Sequence, residues 1–342
     1  MKKIIFIFLP LIFTAQACNF LSGGSGEDQG SGSRGIFLSS DSGQTWEQAK
    51  ETGKTQSLAG ASVSQIVTEP GRPNNLLAAT TNLGLYGSDD YGKNWAQLLP
   101  GVIAYSAFVS PNNPSEVFAA GARNKIAAVL KSPDRAKTWI QIYGEPKGEA
   151  SVTSLVFDKN NVAIFYAGLS TGTMLKSQDF GKTWNALTDF SDRVVSLDLS
   201  SDSTMVYALC RVQGLKRSQN GGLAWSDVTL ADKPDSYNDL VLDPTNATGL
   251  YLGTDKGLYH SLDGGTKWQK ILLPATPEIN NVSAAAVNPK NGRQIFAAIR
   301  STIYKSDDSG QTWSVQTLPT ARIISEIVID PVEPNRIIVG LK

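Results

Sequence analysis

Two carboxylates, Asp239 and Glu326, are the side chains whose spacing suits acid–base chemistry. Each stands four residues ahead of a turn acid, Asp243 and Asp330, in a unit that repeats along the chain. The same place in the other units holds Gln65, Ser106, Ser154, Ser196 and Ala284, so these two are the acids of one column. Cleavage of a glycosidic bond needs such a pair, facing each other at roughly 5–9 Å. The plainer reading is two solvated or hydrogen-bonded interior residues. A second set is basic: Arg123, Arg193, Arg211, Arg300 and Arg322, with Lys125 and Lys256 nearby. Their guanidinium forks suit a carboxylate, a phosphate or an acidic peptide. Ordinary solvated turn charge is the alternative. The single histidine, His260, makes a Ser/His/Asp triad or a zinc site improbable, and no metal or cofactor is expected.

These residues are positioned by a repeat. The phrase Ser-x-Asp-x-Gly-x-x-Trp occurs intact five times, as Ser39-Asp41-Gly43-Trp46, Ser88-Asp90-Gly92-Trp95, Ser177-Asp179-Gly181-Trp184, Ser261-Asp263-Gly265-Trp268 and Ser306-Asp308-Gly310-Trp313. Two worn copies complete the series: Ser132-Asp134-Trp139 has Ala136 for glycine, and Ser218-Gly222-Trp225 has Asn220 for aspartate. All seven tryptophans of the chain close a copy. The motif aspartates, with Asn220 standing in, fall at 41, 90, 134, 179, 220, 263 and 308. A period in the forties means propeller blades or a helical solenoid. Short β-rich runs between turn residues, with no 3.6-residue periodicity, decide for blades. In the unit ending at Trp313 the strands are expected at 282–287, 294–299, 302–306 and 312–317. Residues 35–38 read as a third strand, and 324–329 and 336–341 as a first and a second. The ends therefore complete one blade between them, and an all-β, seven-bladed propeller of four-stranded antiparallel blades leaves no free sheet edge.

The repeated phrase is a hairpin turn. Its glycine supplies a positive φ, its aspartate accepts backbone N–H bonds, and its tryptophan packs against the sheet. All of this is structural. The turns between second and third strands lie on the other face, and there the five arginines gather.

These phrases resemble the Asp-box, or bacterial neuraminidase repeat. It is found in sialidases, xyloglucan-processing glycosidases, the sortilin ectodomain and the photosystem II stability and assembly factor family. The motif is specific for a propeller and unspecific for activity. The regular run of seven over residues 35–342 is most similar to the assembly-factor and sortilin types, which implies a non-enzymatic protein-binding scaffold. Assembly-factor propellers carry arginines on one face for a partner. The Arg-Ile-Pro motif of sialidases is absent.

The N-terminus reads as an address. Lys2 and Lys3 precede an apolar run at 4–13, too short to span a bilayer, followed by Ala15-Gln16-Ala17-Cys18. This resembles the lipobox of bacterial lipoproteins, which implies a lipid on Cys18 and a signal peptide at 1–17; secretion after Ala17 and a retained anchor are the alternatives. Gly/Ser-rich residues 18–34 suit a tether. The expectation is a monomeric, membrane-anchored envelope protein. With net charge zero at pH 7, nucleic-acid binding is not expected. Cys210 lies in a strand-like run and is expected as a buried small hydrophobe rather than half of a disulfide.

Overall fold

Each inner strand carries large apolar side chains that point into the sheet stack and small or polar ones that point inward. Val63–Glu69, Val194–Leu199, Tyr237–Leu242 and Ile324–Ile329 all begin with one buried position, two half-buried ones and a second buried one. Simple alternation would give one half-buried residue there. The extra one is a β-bulge, and the register shifts at this place in six of the seven inner strands.

The computed structural model describes residues 35–51, 58, 60–145, 148–276 and 280–342. Cys18 and the expected signal peptide and tether lie outside the described residues. Six consecutive four-strand sets form blades I to VI, at residues 63–99, 103–144, 152–189, 194–228, 237–271 and 284–317. Blade VII joins the two ends: Ile324–Ile329 and Ile337–Leu341 pair with Ile36–Ser39 and Glu47–Gln48. Inner strands of successive blades touch all the way round, blade VII against blade I included. This is the seven-bladed architecture read from the repeat. The core lies between blades, in apolar clusters such as Phe108, Phe118, Phe157 and Phe165.

Two local features differ from expectation. In blade VI the inner strand is Ala284–Asn288 rather than 282–287, and the second strand starts earlier, at Asn291. Just ahead of the inner strand, the Ser283 hydroxyl donates to the carbonyls of Ala298 (3.3 Å) and Ile324 (2.6 Å). A further short strand, Lys50–Glu51, pairs parallel with the outer strand of blade I, Asn94–Leu99.

The box turns are built alike. In each, the serine Oγ donates to Oδ1 of the aspartate, or of Asn220 in the fifth copy, at 2.8–2.9 Å, and accepts the N–H four residues on. The carboxylate then accepts the N–H of the residue before the tryptophan, as Asp41 does from Thr45, and Asn220 does the same from Ala224. Hydrogen bonds from Thr45, Thr138, Thr183 and Thr312 hold Asp41, Asp134, Asp179 and Asp308 at about 2. Those bonds add stability above the ordinary carboxylate pKa, and it is lost as pH falls through about 2. The worn box keeps the geometry at a cost: Ala136 sits at φ 64, where a Cβ is disfavoured. Ala136→Gly should therefore stabilise the fold by about 0.5–1 kcal/mol, after the glycine entropy penalty. Chemical denaturation checks this, and an unchanged or lower midpoint refutes it.

Candidate functional site

The central channel is lined by the inner strands, and the column of Asp239 and Glu326 runs along it. These side chains are not idle. Asp239 Oδ2 accepts the backbone N–H of Ala285 in the next blade at 2.8 Å. Glu326 accepts that of Ile66, across the closure from blade VII to blade I. Gln65 accepts from Ala107 (2.8 Å) and Ser154 from Leu197 (3.0 Å), while Ser106 donates to the Leu155 carbonyl (3.1 Å). Each bond reaches the residue that follows the neighbouring blade's own column position. Five of seven positions thus stitch one blade to the next. Ala284 has no side chain to do so, and the Ser196 hydroxyl is buried with no partner.

The bulge residues one place earlier add a second ring. Ser64, Thr153, Ser283 and Ser325 donate their hydroxyls to Ala104, Val194, Ile324 and Val63 carbonyls at 2.6–2.9 Å. Asn238 donates to Val282 at 2.9 Å.

Acids in this ring carry an electrostatic cost. Burial pushes Asp239 up to about 6, against the pull of the Ala285 N–H. Burial likewise raises Asp198 to about 6, with Lys159 opposing. Glu326 is raised well above the usual carboxylate range, first by burial and then by the charge of Asp239. Asp198, Asp239 and Glu326 border a cavity of about 340 Å³ that opens among Pro244, Pro289 and Pro331, on the Asp-box face. Asp198 is the residue missed from sequence. It lies two positions further along the inner strand than the column, so counting one column passed it by.

The arginines divide. Arg211 donates to Asn238 Oδ1 at 2.9 Å, and burial followed by the charge of Arg193 lowers its pKa. Arg193 lies over the Tyr105 ring, 4.9 Å from its centroid, two blades away. Lys342 is also lowered, first by burial and then by Arg211, while Asp239 opposes. These three cations meet at the channel mouth opposite the Asp-boxes. Arg123 and Arg300 are exposed on their turns. Arg322 donates to the carbonyls of Ala61 and Leu341, beside the seam that closes the ring.

His260 stacks on Tyr251 at 4.3 Å, and burial lowers its pKa. Cys210 is 0% exposed, with burial raising its thiol to about 12.

Comparison with known proteins gives two kinds of likeness. Residues 188–331 match the family model described as photosynthesis system II assembly factor YCF48, and residues 85–98 match the BNR-Asp box repeat. A xyloglucanase of a Paenibacillus species is 28% identical over 201 residues, covering 54% of this chain and 17% of that enzyme. The chain spans less than a third of each curated relative it matches. Among solved structures, the GH74 xyloglucanase of Xanthomonas campestris superposes with a TM-score of 0.67 at 17% identity, over 82% of this chain and 51% of that one. YCF48 bound to D1 peptide gives 0.64 at 18% identity, over 82% of this chain and 92% of that one. YCF48 from Cyanidioschyzon merolae gives 0.60 at 16% identity, over 82% and 95%. The chain is an Asp-box, seven-bladed β-propeller, built like the YCF48 propellers along nearly their whole length and like about half of a GH74 enzyme.

Proposed function

We propose that this propeller is a non-enzymatic binding scaffold that takes an acidic peptide segment of a protein partner on the face opposite its Asp-boxes. The observation that carries the reading is the cluster of Arg193, Arg211 and Lys342 at that channel mouth, flanked by exposed Arg123 and Arg300. Burial and then the charge of Arg193 lower Arg211, burial and then Arg211 lower Lys342, and an incoming carboxylate would relieve both. The comparison supports it, because the chain covers nine-tenths of YCF48 in a structure of that protein bound to D1 peptide. Lipidation of Cys18, with the Gly/Ser tether, would hold the scaffold at an envelope membrane.

The test is titration of the whole chain with a blocked hexaglutamate peptide. Arg193→Ala/Arg211→Ala should weaken binding at least tenfold, since hydrogen bonds to charged groups contribute about 1.5–3 kcal/mol each. Equal affinity for wild type and variant refutes the assignment of this face.

A second reading has its own support. Asp239 and Glu326 both have raised pKa values beside a cavity of about 340 Å³, and paired carboxylates serve as acid and base in glycosidases. The matched relatives include xyloglucanases. Against it stands the engagement of both carboxylates with backbone N–H groups of the next blade.

A further inference from the structure

Five blades carry the same cross-strand pair just before the box serine. It is Phe118–Lys131, Tyr166–Lys176, Tyr207–Arg217, Tyr251–His260 and Phe296–Lys305 in blades II to VI. An aromatic ring lies on the second strand and a basic side chain on the third. Lys131 stands 5.4 Å from the Phe118 centroid and Lys176 4.9 Å from that of Tyr166. In blades III and IV the cation also reaches the next blade's box: Lys176 donates to the Gly221 carbonyl at 3.0 Å and Arg217 to that of Gly264 at 2.8 Å.

Blade I breaks the pattern. Its pair is Leu77 and Gly87, so both large groups are missing at once. Small Ala96 follows on the outer strand. The result is a cavity of about 430 Å³, lined among others by Leu77, Gly87, Ala96, Glu69, Asp89 and Arg135. Its far wall is the worn box of blade II, where Arg135 holds the place that Gly221 and Gly264 hold in theirs.

Glu69 gives the cavity its chemistry. The residue is 8% exposed, and its Oε2 accepts from Asn75 at 2.7 Å. Its Oε1 is buried with no hydrogen-bond donor. The guanidinium groups of Arg72 and Arg135 stand off at 3.7 and 4.0 Å, too far to donate. A buried carboxylate oxygen left this way costs free energy until a donor arrives. The walls carry Glu69, Asp89 and Asp90 against Arg135, and with Arg72 beside Glu69 the balance is one negative charge. Asp90 is already held within its own box by Ser88 and Asn94.

We propose that this cavity binds an alkylammonium or alkylguanidinium group, as carried by a lysine or arginine side chain. The incoming group would supply in trans the basic group that blades II to VI carry on their own third strands, with its stem on Leu77 and its head at the Glu69 carboxylate. The site lies on the Asp-box side of the blade and does not depend on the function proposed above.

Calorimetric titration of the full chain tests this, with N-acetyl-lysine methylamide and N-acetyl-arginine methylamide as probes and the norleucine analogue as neutral control. At least one cation should bind saturably and at least tenfold more tightly than norleucine. Glu69→Gln, which retains an acceptor for Asn75, should weaken that binding at least tenfold. Gly87→Lys/Leu98→Ala should abolish it, because the chain's own lysine then fills the slot. Leu98 is trimmed because its Cδ1 lies 2.6 Å from where a Cβ on residue 87 would stand. A thermal melt reports whether that variant is folded, and if it is not, Glu69→Gln decides. A Gly-Gly-Lys-Gly-Gly peptide that binds more tightly than the single residue identifies a polypeptide as the source, and equal affinity identifies a free amine. Absence of saturable binding by either cation, equal binding of norleucine, or binding unchanged in the folded variants overturns the proposal.

Discussion

Asp239→Asn combined with Glu326→Gln should make the propeller more stable at pH 7, by about 1–3 kcal/mol, and leave it nearly unchanged at pH 4. Both replacements keep an oxygen that accepts the Ala285 or Ile66 N–H, so the stitch between blades survives. What disappears is the charge. Asp239 sits at about 6 in the folded chain, against 3.8 as its ordinary value. A folded pKa raised in this way favours the protonated folded state. Its contribution is fully present below the unfolded pKa and is lost as pH rises through the folded one. Wild type should therefore lose stability between about pH 4 and 6, and further still as Glu326 ionises, while the double variant should run flat. Melting midpoints at pH 4 and pH 7 check this. A variant that melts lower than wild type at pH 7 would show that the charges, not merely the oxygens, hold the ring.

Trp95→Ala should destabilise the fold by about 3–5 kcal/mol, and Trp313→Ala by clearly less. Both close an intact box, and the sequence treats them alike. In the structure Trp95 is 1% exposed, within a cluster that includes Ile36, Leu38, Ala49, Leu58 and Ala61. Those residues belong to the N-terminal passage that completes blade VII and then runs on to blade I. Strand Lys50–Glu51 pairs along the same edge, Glu51 opposite Trp95. Trp95 also donates to the Gly92 carbonyl at 2.7 Å, and its loss would leave a cavity where the ends of the ring meet. Trp313 is only partly buried, and its indole donates to Leu272 in the neighbouring blade at 3.0 Å. Equal losses from the two substitutions would contradict the special role of the seam.

The blade count and ring closure were legible because serine, aspartate, glycine and tryptophan at fixed offsets specify a turn by local chemistry. A turn repeated seven times fixes the strands between. The strand edges in blade VI slipped because where a ladder starts and stops depends on backbone pairing, such as Asn288 opposite Asn291, and not on residue type alone. The channel column was found by counting, and the sequence left a substrate-facing and a hydrogen-bonded reading of it both open. Whether Asp239 faces substrate or a neighbouring amide depends on the bulge that turns the strand, and a bulge leaves no mark in composition. The cavity in blade I did leave a mark. Lys131, Lys176, Arg217, His260 and Lys305 precede five box serines, while Gly87 precedes a sixth. Aligning the repeats on their serines, rather than their aspartates alone, exposes it.

The most direct test of the binding face is amide hydrogen exchange on the whole chain, with and without saturating hexaglutamate. Slowed exchange in the turns at 123–126, 211–214 and 300–302, with the Asp-box turns unaffected, is the predicted result. Slowing confined to the Asp-box turns, or to the inner strands around Asp198 and Asp239, would contradict it and return the search to the channel acids.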